Sequence, residues 1–171
     1  SFIENDNIPA YLFISVVVAL FLGLIISASE IHRDLKIIKR ESFLSLSPWS
    51  YVNSKVLYVS IVNFIQVLLF VFVGNTILEI KGLFWGYILI LWITAFSSSL
   101  ICLFISARLK SILSIYITIP FLLIPQILLA GAILDFDKIH YSLSSNKYVP
   151  IYADVNISRW AYEALVMFQF T

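Results

Sequence analysis

The stretch IPAYLFISVVVALFLGLIISAS, residues 8–29, decides the fold, because it carries no charged side chain from end to end. A helix needs about 20 apolar residues to cross the roughly 30 Å hydrocarbon core of a bilayer. Three further uncharged intervals reach this length, at residues 56–78, 82–107 and 111–134. All four are apolar around most of the helix circumference, which is typical of helices that face lipid. We therefore predict an all-α integral membrane protein with four transmembrane helices.

The composition agrees with this class. Hydrophobic residues make up 61% of the chain and charged residues only 12%, whereas soluble domains carry about 25% charged residues. The net charge of +1 gives no electrostatic argument for a nucleic-acid partner. The single cysteine, Cys102, cannot form a disulfide within the chain. We expect the lipid bilayer to be the main surroundings of the protein.

Charged residues are divided unequally between the two sets of loops that alternate along the chain. Residues 30–55 and 108–110 contain seven of the 11 lysines and arginines, whereas residues 1–7, 79–81 and 135–171 contain seven of the ten acidic residues. By the positive-inside rule, the first set of loops is cytoplasmic. Both ends of the chain, with the loop at 135–157, are then predicted to be extracytoplasmic.

Residues 30–45 of the inner loop predict a helix whose side chains are sorted by charge. The apolar face holds Ile31, Leu35 and Ile38, the basic face holds Arg33, Lys36 and Arg40, and an acidic strip holds Glu30, Asp34 and Glu41. One interpretation is an interfacial helix whose cations meet lipid headgroups. The other is a docking surface, because separate acidic and basic strips suit a protein partner better than a uniformly anionic membrane.

Small and polar residues inside the spans favour close helix packing. In the first span they recur at every fourth position, at Ser15, Ala19, Gly23 and Ser27. This spacing lets another helix approach closely, and we favour packing over contact with a substrate. The second and third spans add Ser60, Asn63, Gln66, Thr94, Ser97, Ser98 and Ser99. These groups predict either hydrogen bonds between helices or the wall of a polar cavity.

Motifs for enzyme chemistry are absent from the sequence. It has no phosphate-binding loop, no nucleophile elbow and no zinc-binding HExxH or CxxC pattern. His32 and His140 are predicted on opposite sides of the membrane, so they cannot share a metal. The four spans contain no Asp, Glu, Lys, Arg or His, which disfavours transport driven by an ion gradient. We predict no catalytic residue and no metal site in this segment.

Three segments match the pattern of one known family. They are EIHRDLKIIKRE at 30–41, followed by Tyr51 and Lys55; residues 119–131, followed by FDKI at 136–139; and ISRWAYEAL at 157–165. This combination resembles the membrane domain of ATP-binding cassette (ABC) exporters of the White or ABCG type. The outer loop lacks the cysteines of many eukaryotic members, which favours a bacterial relative in the inner, plasma membrane.

The resemblance implies that the four spans are the second to fifth of a six-helix membrane domain, so that the chain is an inner part of a larger domain. Residues 30–45 would form the coupling helix that contacts a cassette ATPase, on the same or a separate chain. The residues implied at this contact are Glu30, Arg33, Asp34, Lys36, Arg40 and Glu41. ATP and Mg²⁺ would bind on that ATPase, and no cofactor is expected in this segment.

The resemblance also implies a path for substrate. The family pairs two membrane domains, here expected to form a homodimer, and holds substrate between the second and fifth spans. By position, the cavity residues are Phe13, Val17, Leu20, Tyr116, Pro120 and Leu123, and the outer valve is Ala132 and Ile133. The implied function is a permease that moves an amphipathic or lipid-like substrate outward when the ATPase closes.

Two other functions stay open at this point. A membrane-embedded lipid-modifying enzyme would need catalytic groups at one membrane face, and Asp135, Asp137 and His140 are the only candidates in the sequence. A non-transporting accessory subunit would lack a neighbouring cassette ATPase.

Overall fold

The computed structural model describes residues 7–28, 30–34, 47–78, 84–109, 111–128 and 156–170. The helices in this part of the chain are α1 (Asn7–Ala28), α2 (Pro48–Leu78), α3 (Phe84–Arg108), α4 (Ile112–Leu128) and α5 (Ile157–Phe170). Residues 30–34 are helical as well. No strand occurs among the described residues. The prediction of an all-α membrane fold is confirmed.

Three of these helices, α1, α2 and α3, are long and apolar enough to cross a membrane. The predicted spans at 8–29 and 82–107 lie close to the observed bounds of α1 and α3. Helix α4 is apolar but has only 17 residues. Residues 129–134, the last part of the predicted fourth span, lie outside the described residues.

Helix α2 begins before the predicted second span at 56–78. Pro48 stands in its first turn, where the missing N–H costs no hydrogen bond and the fixed φ suits a helix. The carbonyl oxygen of Ser47 accepts hydrogen bonds from the backbone N–H groups of Ser50 and Tyr51, at 3.1 and 3.3 Å. The additional turns place Tyr51 and Lys55 on a regular helix rather than in a loop.

The centre of the structure is the interface between α1 and α3, which is the most extensive contact between any two helices described. On α1, Leu12, Val16, Leu20 and Leu24 recur every fourth residue and are all buried. On α3, the fully buried Tyr87 belongs to the same core cluster. Helices α2, α4 and α5 each pack against both α1 and α3. The large apolar side chains that remain exposed on the outer helices suit a lipid environment.

Gly23 marks the closest approach of α1 to α3. A Cβ atom built there would collide with the side chains of Ser98 and Ser99 and with the backbone carbonyl of Ala95. Because only glycine leaves this space free, the backbones of the two helices can approach closely. The other members of the stripe, Ser15, Ala19 and Ser27, are also buried. The packing interpretation of this stripe is confirmed.

Candidate functional site

A group of charged side chains joins residues 30–34, the helical segment that follows α1 in the chain, to the start of α2. Lys55 Nζ lies 2.8 Å from Glu30 Oε2 and 2.7 Å from Asp34 Oδ2. The Tyr51 hydroxyl donates a hydrogen bond of 3.2 Å to Asp34 Oδ2. Arg33 Nη2 lies 3.1 Å from Glu30 Oε1. We call these five residues the charged cluster, and the end of the helices that holds them the charged end.

Helical spacing explains why these groups meet. Glu30 and Asp34 are four residues apart and therefore lie on one side of their helix. Tyr51 and Lys55 have the same spacing on α2, so one face of each helix presents two of these side chains to the other. Lys55 Nζ also lies 5.8 Å from the centroid of the Tyr58 ring. The cluster thus consists of two pairs of residues, each with four-residue spacing on its own helix. The pairs come into contact only because the two helix ends lie side by side.

The members of the charged cluster differ in exposure. The side chains of Glu30, Lys55 and Asp34 are 7%, 18% and 19% exposed, whereas that of Arg33 is 66% exposed. The first three are largely removed from water, so each charge depends on its partners for stabilisation. Arg33 keeps most of its guanidinium open to a further partner. The arrangement can hold α1 and α2 together and present one cation outward.

Among the described residues, no group of three or more His, Cys, Asp or Glu side chains could hold a metal ion. The carboxylates of the charged cluster are bound by Lys55, Arg33 and Tyr51. A carboxylate held in this way is not available as a general base. The chemistry that the cluster supports is ion pairing between helices.

Three of the residues implied at the ATPase contact, Glu30, Arg33 and Asp34, therefore belong to one cluster. Lys36, Arg40 and Glu41 lie outside the described residues. Sequence reasoning placed Lys55 only as the start of a span and missed its two carboxylate partners. The sequence feature that could have predicted this contact is the four-residue spacing of Glu30 and Asp34 on one side of the inner loop and of Tyr51 and Lys55 on the other.

A second, uncharged set of hydrogen bonds lies well inside the helices. Ser99 Oγ donates to the carbonyl of Gly23 at 2.8 Å. The Ser98 hydroxyl lies 3.2 Å from the carbonyl of Leu20 and 2.8 Å from the carbonyl of Ala95 in its own helix, so these two acceptors share one proton. Asn63 Nδ2 of α2 donates to Ser99 Oγ at 2.7 Å. We call Leu20, Gly23, Asn63, Ser98 and Ser99 the polar seam. It joins three helices through bonds that include backbone carbonyls.

The polar residues of the spans were predicted either to hydrogen-bond between helices or to line a polar cavity. Asn63 and Ser99 hydrogen-bond between helices. Thr94 and Ser97 instead donate to carbonyls of their own helix, at 2.8 Å each. Ser98 has an acceptor of each kind, the carbonyl of Ala95 in its own helix at 2.8 Å and the more distant carbonyl of Leu20. Interhelical bonding is therefore confirmed for Asn63 and Ser99.

The residues implied for the substrate cavity fall into three groups by exposure. Leu20 and Leu123 are buried in the core cluster that α1 shares with α4. Tyr116 and Pro120 are exposed on α4. Phe13 and Val17 are partly buried, and the Phe13 ring meets the ring of Tyr162 edge to face, with centroids 6.1 Å apart. Ala132 and Ile133, implied for the outer valve, lie outside the described residues, as do Asp135, Asp137 and His140.

The end of α4 and the start of α5 are joined by uncharged polar groups. The carbonyl of Gln126 accepts hydrogen bonds from Asn156 Nδ2 at 3.1 Å and from the Ser158 hydroxyl. Gln126 Oε1 accepts the backbone N–H of Ser158 at 3.2 Å, which satisfies a donor in the first turn of α5. Further along α5, Arg159 Nε pairs with Glu163 Oε1 at 2.7 Å. This contact between α4 and α5 was not predicted from the sequence.

The bundle of apolar helices and its charged end can now be compared with known families. Over residues 1–170 the chain matches the family model described as ABC-2 type transporter. The chain belongs to this family. No curated protein and no solved structure matches it. The ABC-2 domain is a permease component of an ABC transporter, a multi-pass membrane protein, and such domains work with a partner ATPase.

Proposed function

We propose that the chain is the membrane part of an ATP-driven exporter of the White or ABCG type, in the inner membrane of a bacterium. In this proposal the charged end is cytoplasmic, and residues 30–45 receive the movement of an attached or separate ATPase. The transported substrate is amphipathic or lipid-like and moves outward. ATP and Mg²⁺ act on the ATPase.

The observation that carries this proposal is the charged cluster. It ties residues 30–34, the first part of the proposed coupling helix, to the start of α2 through two contacts of Lys55. A displacement of this segment would therefore act on α1 and α2 together. Arg33 is 66% exposed beside these contacts and can pair with an acidic group on the ATPase. A ligand shifts a conformational equilibrium only through such differential contacts.

The proposed substrate path uses a second copy of the chain. Tyr116 and Pro120 are exposed on α4, and helix α4 packs against α1. An identical domain facing these side chains would enclose the cavity expected from Phe13, Val17 and Tyr116. Ala132 and Ile133 would close this cavity on the outer side.

The test uses the complete transporter with its ATPase, reconstituted in liposomes that contain a fluorescent NBD-labelled phosphatidylethanolamine. Reversing charge with Arg33→Glu and Arg40→Glu should lower ATP-dependent movement of this lipid by about tenfold or more, a typical size for coupling between sites. Basal ATP hydrolysis should persist, because neither residue lies in the ATPase. Movement is measured by adding dithionite on the side of the membrane to which the lipid is transported. The measured quantity is the fraction of NBD-labelled lipid that dithionite reduces there.

Arg108→Glu is the matched control, since Arg108 also lies at the end of a helix and its guanidinium faces the Phe104 ring of its own helix. We expect this variant to transport at the wild-type rate. Wild-type transport by the Arg33→Glu and Arg40→Glu double variant, inserted normally in the membrane, would contradict the proposed coupling role. ATP-independent chemical change of the lipid would instead favour a lipid-modifying enzyme.

A further inference from the structure

The end of α4 meets the start of α5 through three polar residues, Gln126, Asn156 and Ser158, which we call the clasp. Asn156 and Ser158 are 4% and 0% exposed. The Ser158 backbone N–H donates to Gln126 Oε1 at 3.2 Å, and Asn156 Nδ2 donates to the Gln126 carbonyl at 3.1 Å. This carbonyl is one of the last four of α4, which have no donor within their own helix. The clasp therefore satisfies polar groups at two helix ends.

Asn156 offers a second acceptor for the donors of Ser158. It directly precedes α5, at the position where an asparagine side-chain oxygen commonly accepts the N–H of the second or third helical residue. Ser158 is the second residue of α5, so Asn156 Oδ1 can take the N–H that Gln126 Oε1 now accepts. The single proton of the Ser158 hydroxyl is already shared between the Gln126 carbonyl and Asn156 Oδ1, the latter at 3.0 Å. Both donors of Ser158 can thus pass from α4 to the cap of α5 without losing a hydrogen bond.

Helix α4 is weakened close to the clasp. Pro120 and Pro125 each lack the N–H that would bond a carbonyl one turn earlier, which makes this part of the helix a place where it can bend. The buried residues of α4, Ile115, Ile119 and Leu123, all precede Pro125. Beyond Pro125 no described residue of α4 is fully buried. The hydrogen bonds of the clasp therefore contribute much of what holds this end of the helix.

Water can satisfy Gln126 when it separates from α5. The 17 residues of α4 extend about 25 Å, close to the roughly 30 Å thickness of the hydrocarbon core. Gln126, in the last turn of α4, accordingly lies near a membrane–water boundary. Water molecules there can replace the hydrogen-bond donors that Gln126 loses.

We infer that the clasp is a conformational switch with two hydrogen-bonded states. In the closed state Gln126 caps the first turn of α5 and holds the end of α4 against it. In the open state Asn156 caps α5, and the end of α4 bends away at Pro120 and Pro125. Both states satisfy the buried donors of Ser158, as a two-state element requires. The inference concerns motion within this chain and stands apart from the substrate and the ATPase of the proposed function.

Amide hydrogen exchange of the full-length protein in phosphatidylcholine nanodiscs tests whether the two caps replace each other. Exchange at the Ser158 amide is measured by mass spectrometry with fragmentation that resolves single amides. Gln126→Leu alone and Asn156→Ala alone should each change this exchange rate by less than about threefold, because the other cap remains. The two substitutions together should raise the rate by about tenfold or more, because the amide then has neither acceptor.

Thr118→Val is the matched control for this experiment. It removes a hydroxyl of α4 that donates to the carbonyl of Ser114 in the same helix, and it should leave exchange at Ser158 unchanged. If Gln126→Leu alone raises the exchange rate as much as the double variant does, Asn156 does not replace Gln126, and the two-state inference is wrong.

Spin labels measure whether the end of α4 leaves α5, in a background without other cysteines that includes Cys102→Ala. The test pair is Leu128→Cys, beyond both prolines, with Ala164→Cys on α5; the control pair replaces Leu128 by Leu113, before both prolines. All three positions are exposed. Labelled chains are diluted with unlabelled chains, so that distances within one copy dominate.

Gln126→Leu should raise the population of a longer Leu128–Ala164 distance by about two- to tenfold, the change expected for loss of one hydrogen bond. The Leu113–Ala164 distance should stay the same. An unchanged Leu128–Ala164 distribution would overturn the inference, because the clasp would then not hold the end of α4. An equal change in both pairs would also overturn it, because α4 would not bend at its prolines.

Discussion

The charged cluster and the polar seam both fasten α1 to a neighbouring helix, but they do so with different chemistry. At the charged end, long side chains of opposite charge connect residues 30–34 to α2, and Lys55 contacts two carboxylates at once. In the polar seam, short serine side chains of α3 reach backbone carbonyls of α1. The first connection lies where water can reach part of it, and the second lies where a charge would be costly.

This difference indicates which interface can adjust. Glu30 and Asp34 offer Lys55 two alternative partners, because long charged side chains can exchange partners over several ångströms. The polar seam has no such freedom, since Gly23 holds two backbones at a fixed close distance. The contact of α1 with α3 is also far more extensive than that of α1 with α2. We therefore expect the contact of α1 with α3 to stay fixed, and the contact of residues 30–34 with the start of α2 to be the one that adjusts.

The largest effect is expected at the charged cluster. Lys55→Met would leave Glu30 and Asp34 close together without their common cation. Removing one partner of a buried ion pair costs about 3–5 kcal/mol, and the partial exposure of this cluster reduces the expected loss to about 2–3 kcal/mol. The free energy of unfolding, measured by SDS titration in mixed micelles, should fall by this amount. Lys55→Arg keeps the charge and should recover most of it; a Lys55→Met protein as stable as wild type would show that the cluster does not hold the helices together.

A smaller effect is expected where the backbones meet. Gly23→Ala would force α1 and α3 apart, because the new methyl group meets a backbone carbonyl that cannot rotate away. Overpacking of this kind costs about 1–3 kcal/mol. The matched control is Ser27→Ala, the next member of the same stripe, whose hydroxyl has no hydrogen-bond partner in the described structure. If Gly23→Ala and Ser27→Ala unfold at the same SDS concentration, the close approach at Gly23 is not required.

The smallest effect is expected when a hydrogen bond between helices is compared with a hydrogen bond within one helix. Ser99→Ala removes a donor to Gly23 and an acceptor for Asn63, and should lower the free energy of unfolding by about 0.6–1.7 kcal/mol. Ser97→Ala removes only a bond to the carbonyl of Ile93 in its own helix, and should change the same quantity by less than about 0.5 kcal/mol. An equal loss in both variants would argue against a special role for the polar seam.

The packing face of α1 was predictable from the local sequence. The four-residue spacing of Ser15, Ala19, Gly23 and Ser27 predicted a packing face, because helical periodicity is a local property. The partners of that face were not predictable, since nothing in α1 selects Ser98 and Ser99 over other small residues. The same holds for Lys55, whose carboxylate partners Glu30 and Asp34 are 25 and 21 positions away and meet it only when two helix ends come together.

The contact between α4 and α5 shows the same limit more strongly. In the sequence, Gln126 follows Pro125, and Ser158 belongs to the segment ISRWAYEAL that resembles the family. Their hydrogen bonds span 32 positions and depend on where α4 ends and how α5 returns to it. Neither feature is encoded in the residues near Gln126 or Ser158 alone.

The sequence by itself determined that this chain is a bundle of membrane helices, because the length of an uncharged apolar interval must match the thickness of the bilayer. It also determined which face of α1 is small enough for another helix. Only the tertiary structure decided the pairings, with Gly23 against α3, Lys55 between Glu30 and Asp34, and Asn63 against Ser99. The physical reason is that apolarity and spacing act within one helix, whereas an ion pair, a close approach or a hydrogen bond between helices depends on the rotation and height of two helices together.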